Sequence, residues 1–124
     1  MKYLLDSNIV IAATLGIGDP LRHRMALCDE GEMVMSSIVY AEVLFGCVQG
    51  KPPLIELLNV LVGEVPILDF DQHAATTYAG LPFKRASYDR LIAAHAVSRD
   101  LILVTDNVAH FADVPGLIVE NWTQ

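Results

Sequence analysis

The chain has 124 residues, of which 53% are hydrophobic and 19% charged, and a formal net charge of −7. That length suits one domain around a single core, and that composition excludes intrinsic disorder. No apolar run approaches the roughly 18 residues of a membrane helix, and Asp6 and Asn8 break the N-terminal apolar run too early for a signal peptide, so a cytoplasmic protein is expected.

Cys28 and Cys47 stand outside any CxxC pattern, which implies neither a zinc site nor a disulfide framework. Net acidity runs against a nucleic-acid partner, because affinity for a phosphate backbone comes from Lys and Arg. Yet Lys84, Arg85, Arg90 and Arg99 fall close together, Arg22 and Arg24 form a second pair, and bound divalent cations would invert the local charge.

In chain order, the apolar run 2–5 predicts a strand ending at Asp6, followed by a helix through Ile9 to Ala13. Further helices are expected at 20–28, 37–46, 53–62, 71–81 and 88–99, with Pro20, Pro52, Pro53 and Ser87 as start signals. Strands are expected at 33–36, 64–68, 101–105 and 117–120. The alternation predicts an α/β fold, a three-layer sandwich whose parallel sheet is covered on both faces, with LILVT at 101–105 inside it. AGLPFKRAS at 79–87 reads as a basic loop.

In an open parallel sheet, sites form beyond the carboxyl ends of the strands. Asp6 and Asp106 follow two such ends, and Asp89 sits in the first turn of helix 88–99, which starts at the same edge. Glu42 lies about one and a half turns into helix 37–46, roughly 8 Å from the edge, and its side chain tilts back toward it. Taken singly, Asp6 reads equally well as a helix cap, Asp89 as a partner of the helix dipole and Asp106 as a turn residue. Glu42, flanked by apolar residues in VYAEVLFG, needs a partner.

Four carboxylates without cations repel one another unless something positive fills the space between them. All-oxygen ligands suit Mg²⁺ or Mn²⁺, and such ions stabilise attacking and leaving oxygens in phosphodiester hydrolysis. Asn8 is a candidate to orient a carboxylate, and Ser7 or Thr105 to position a water or phosphate. Lys84, Arg85 and Arg90, beside Asp89, are the best candidates for contacts to a nucleic-acid phosphate backbone. His23, His73, His95 and His110 show no HxH or HExxH spacing and read as surface or core, and Trp122 is expected to pin the last strand.

YLLDSNIVI, SSIVYAEVLFG, YDRLIAAHA, LILVTDN and VPGLIVENW span essentially the whole chain. Together they resemble the PIN-domain ribonucleases, specifically the VapC-type toxins of bacterial and archaeal toxin-antitoxin pairs. The resemblance implies a PIN fold with a central parallel sheet of about five strands, and endoribonuclease activity dependent on Mg²⁺ or Mn²⁺. It matches Asp6, Glu42 and Asp89 to the family's first three acids and Asp106 to the fourth. It also implies a homodimer and a cognate VapB-like antitoxin that blocks the site. Ser7 stands where Thr is more usual, and GLPFKRAS replaces a longer helical stretch.

Other readings differ in identifiable residues. A haloacid-dehalogenase-type phosphohydrolase needs a second Asp where Asn8 stands, and a response-regulator receiver needs a late Lys, yet none follows Lys84. A non-catalytic PIN-like partner-binding module would not need all four acids.

Overall fold

The computed structural model describes residues 1–83 and 85–124, so the expected phosphate contact Lys84 lies outside the described residues. β1 (Tyr3–Leu5) is buried at every residue, as a strand covered on both faces must be. It stops at Asp6, whose backbone is extended and whose side chain caps α1 (Ser7–Leu15). Gly16, in the left-handed region at φ 69°, closes that helix. α2 (Asp19–Ala26) follows with Pro20 in its first turn.

β2 (Met33–Ser36) runs directly into α3 (Ser37–Val48), because Ser36 Oγ accepts the Ile38 N–H and caps the helix. Next come α4 (Ile55–Glu64), β3 (Ile67–Leu68), α5 (Gln72–Ala79) and α6 (Tyr88–Ser98). The last two helices are capped by Asp71 and Ser87. β4 (Ile102–Val104), a 3₁₀ turn (Val108–Phe111) and β5 (Val119–Glu120) complete the chain.

Each expected element is present, with ends shifted by a few residues. The strand expected at 64–68 shortens to Ile67–Leu68 because α4 continues through Glu64. That expected at 117–120 pairs only over Val119–Glu120. The 3₁₀ turn had no sequence expectation.

All pairings are parallel, in the order β3-β2-β1-β4-β5. The chain therefore winds outward from β1 to β2 and β3, then crosses to β4 on the other side. Right-handed crossovers place the helices of these two halves on opposite faces, giving the three-layer sandwich. β4 lies inside the sheet, as LILVT predicts, though β1 holds the centre. The core gathers Leu4, Leu5, Val10, Met35, Leu58 and Leu103, all with essentially no exposed surface. Each such burial contributes about 1.5–3 kcal/mol. Trp122 meets Tyr3 edge-on at 4.8 Å and donates from Nε1 to Glu120 Oε1 at 2.9 Å, pinning the C-terminal segment as expected.

The winding direction reverses between β1 and β4. The carboxyl ends of those two strands are thus the switch point where an open α/β sheet leaves a crevice.

Candidate active site

Leu5 pairs with Val104, so the residues that follow them, Asp6 and Thr105, emerge side by side at that crevice. Thr105 is fully buried, and its Oγ1 donates to Asp6 Oδ2 at 2.8 Å. Asp6 Oδ1 accepts the Ser7 N–H at 2.8 Å, which is the cap of α1. Asp6 is itself 6% exposed, and both carboxylate oxygens are oriented while each keeps a further lone pair free. Burial pushes its carboxyl above the usual range; the two hydrogen bonds oppose this, and the neighbouring Asp89 and Asp106 reinforce it.

Ser7, at the first position of α1, donates from Oγ to Glu42 Oε1 at 3.1 Å. This is the partner that the apolar setting of Glu42 demanded. Glu42 is half-buried on α3, and its carboxyl is raised first by burial and then by Asp6 and Asp89, against the Ser7 hydrogen bond. Asp89, in the first turn of α6, stands 3.4 Å from His110 Nδ1 on the 3₁₀ turn. Asp106 is exposed just beyond β4 and is near enough to Asp6 to raise its pKa.

The fold therefore brings the four expected acids to one rim, where Asp6 feels the charges of Asp89 and Asp106 and Glu42 those of Asp6 and Asp89. Among the described residues, none of them forms an ion pair with Lys or Arg. Oxygen-only donors of this kind are the set a hard divalent cation takes. Among the described residues, no three acidic, His or Cys side chains are grouped closely enough to hold one ion.

The PIN domain model matches residues 3–117. The chain belongs to the PIN-domain family. The tRNA(fMet)-specific endonuclease VapC of Shigella flexneri is 32% identical, covering 99% of this chain and 99% of its own. Ribonuclease VapC2 of Rickettsia felis is 30% identical, covering 98% of each. Among solved structures, VapBC2 from Rickettsia felis bound to a DNA fragment from their promoter aligns with a TM-score of 0.85 at 29% identity, over 98% of this chain and 99% of that one. The PIN fold is thus the one the sequence resembled, and it sets aside the haloacid-dehalogenase and receiver alternatives.

Within this PIN domain Ser7 and Thr105, expected to position a water or phosphate, stand against the acids and donate to Glu42 and Asp6. Asn8, expected to orient a carboxylate, is exposed and bonds to none of the four acids among the described residues. The reason is helical geometry: Ser7 opens α1 facing α3, and Asn8 is rotated about 100° away from it. Arg90, expected at the RNA backbone, is bidentate to Asp113 at 3.0 and 3.1 Å and stacks 4.4 Å over Phe83. Arg85 remains exposed.

His110 sits on the surface, as expected, but sequence reasoning missed its place against Asp89. A polar cleft of about 350 Å³ opens there, lined by Ser87, Asp89, Arg90, Ala109, His110 and Asp113. No spacing motif could reveal it, because the contact depends on how the 3₁₀ turn folds back after β4.

Proposed function

We propose that this chain is an endoribonuclease that hydrolyses RNA phosphodiester bonds with Mg²⁺ or Mn²⁺ at the acidic rim, and that it is the toxin of a toxin-antitoxin pair. The observation that carries this is the convergence of Asp6, Glu42, Asp89 and Asp106 at the switch point, without an ion-pairing Lys or Arg among the described residues. Family membership and the ribonuclease names of the relatives support the substrate. Solved neighbours that are VapBC complexes support a VapB-like antitoxin.

Thr105 and Ser7 orient Asp6 and Glu42, and because no three acidic, His or Cys side chains among the described residues are grouped around one ion, Asp6, Glu42, Asp89 and Asp106 would draw closer together to hold the metal. A bound divalent ion would supply a lowered pKa for the attacking water and charge stabilisation on the phosphate. Burial and mutual repulsion raise the Asp6 and Glu42 carboxyls, a strain that a cation between them would relieve. Arg85 and Lys84 would meet the RNA backbone.

A homodimer and a bound antitoxin would cover apolar surface. Phe45 and Val48 on α3, with Leu54, Leu57 and Val60 before and on α4, are exposed and offer such surface. No helix among the described residues is long and apolar enough to cross a membrane, which accords with work in the cytoplasm, where RNA is the substrate.

The test is cleavage of single-stranded RNA by purified protein with Mg²⁺ or Mn²⁺, its abolition by EDTA and its return on readdition of metal. Undiminished cleavage in excess EDTA would overturn the metal-dependent reading. In cells, expression of the chain alone should arrest growth and the neighbouring antitoxin should relieve it. Growth unaffected by soluble, active protein would overturn the toxin role.

A further inference from the structure

The buried face of α6 is Ile92, Ala93, Ala94 and Ala96, with one polar exception. His95 has no exposed surface, and Asp69, Asp71 and Arg99 are near enough to act on its charge. Its ring meets Phe70 edge-on at 5.2 Å, and its Nε2 has no hydrogen-bond partner. A buried nitrogen left without a partner costs about 1–3 kcal/mol, which an aliphatic side chain would not incur. A local rule broken inside a consistent core points to a role other than stability.

The other ring nitrogen shows that role. Nδ1 lies 2.8 Å from Ser36 Oγ, the same atom that accepts the Ile38 N–H and starts α3. Nearby, Ser37 Oγ accepts the Phe70 N–H at 3.0 Å, so the β2-α3 junction is also tied to the segment carrying His95's aromatic neighbour. Ser36 precedes Glu42 by six residues, and Asp89 precedes His95 by six. At 1.5 Å per residue, each acid stands about 9 Å along its helix from this single polar link.

We propose that His95 is a positioning residue: through Nδ1 and Ser36 Oγ it locks α6 to the start of α3 and thereby sets the spacing of Asp89 and Glu42 on the rim. The inference rests on the ribonuclease reading and gives that site a second layer. Burial, aided by Arg99 and opposed by Asp71 and Asp69, holds the ring pKa below its usual value, which favours the neutral ring.

Three variants test it. His95→Leu keeps the volume and loses the link, His95→Asn places an amide near the Nδ1 position and leaves a gap, and Ser36→Ala removes the partner. Each is measured for melting temperature, for kcat and KM of RNA cleavage, and for affinity for Mn²⁺ alone by electron paramagnetic resonance. His95→Leu removes the unpartnered Nε2 but leaves the buried Ser36 hydroxyl without its ring partner, so it should melt close to wild type, yet lose about tenfold or more in kcat and several-fold in Mn²⁺ affinity, with KM little changed. His95→Asn should melt lower but recover most of kcat, and Ser36→Ala should match His95→Leu in kcat without adding to it.

Activity that tracks melting temperature across the variants, or wild-type kcat and Mn²⁺ affinity in His95→Leu, would overturn the proposal. If His95→Leu fails to fold, Ser36→Ala carries the same test from the other side. If wild-type protein cuts no RNA, the ribonuclease reading falls, while unchanged Mn²⁺ affinity in the variants separately refutes positioning.

Discussion

Thr105→Val isolates the bond that orients the central carboxylate. The residue is fully buried, so valine fills its space without opening a cavity, and what disappears is the Oγ1–H donated to Asp6 Oδ2 at 2.8 Å. A hydrogen bond to a charged group contributes about 1.5–3 kcal/mol. The Asn107 N–H, which Thr105 Oγ1 also accepts at 3.1 Å, belongs to a half-buried residue that water reaches. The expected loss for metal-free protein at neutral pH is therefore about 2 kcal/mol. For a chain of this size that is a fall of roughly 8 °C in melting temperature.

The assay is urea and thermal unfolding in EDTA, for wild type, Thr105→Val, Asp6→Asn and the double variant. The loss should shrink by more than half in the Asp6→Asn background, where no charge is left for Thr105 to satisfy. It should shrink likewise at acid pH, where Asp6 is protonated. A loss under about 0.5 kcal/mol, or one equal in both backgrounds, would refute the claim that Thr105 acts through the Asp6 charge.

Other perturbations follow from the same geometry. Asp6 and Glu42 have raised carboxyls, so each favours the folded state below its unfolded value, and that contribution is lost as pH rises through the folded value. Metal-free Asp6→Asn should consequently be more stable than wild type at pH 7, on the order of 1 kcal/mol, with the gap closing near pH 4; a variant less stable at both would favour a simple capping role, and unfolding curves across pH read this directly. Arg85→Ala should weaken RNA binding and flatten its salt dependence by about one counterion, whereas Arg90→Ala, already neutralised by Asp113, should leave the slope unchanged while costing stability. Equal salt slopes for Arg85→Ala and wild type would move the basic loop out of the RNA path. His110→Ala, on the exposed side of Asp89, should leave melting within about 2 °C of wild type while altering kcat; unchanged kcat would remove it from the site.

Much of this was legible because the acids sit at punctuation points of the chain. Asp6 and Asp106 end apolar runs, and a parallel sheet collects its strand ends on one edge. Glu42 was legible from the cost of an unpartnered carboxylate among VYAEVLFG. What stayed hidden depended on rotation and long-range pairing. A one-residue difference in α1 gives the Glu42 contact to Ser7 rather than Asn8. Arg90 finds Asp113 only because the 3₁₀ turn folds back beneath α6. His95 and His110 lack ligand spacing, so nothing in the sequence separated the polar link on α6 from the histidine at the rim. The strand at 64–68 was overextended because apolar residues at the end of α4 and in β3 look alike without their partners.

In the proposed reaction these four carboxylates cleave RNA together with a divalent ion. The most direct measurement is single-turnover cleavage of one labelled single-stranded RNA in saturating Mn²⁺ by wild type, Asp6→Asn, Glu42→Gln, Asp89→Asn and Asp106→Asn, each shown by circular dichroism to be folded. Asp6→Asn and Asp89→Asn should abolish cleavage, and Glu42→Gln and Asp106→Asn should reduce it by at least about tenfold. Wild-type rates in folded Asp6→Asn or Asp89→Asn would contradict the proposed reaction.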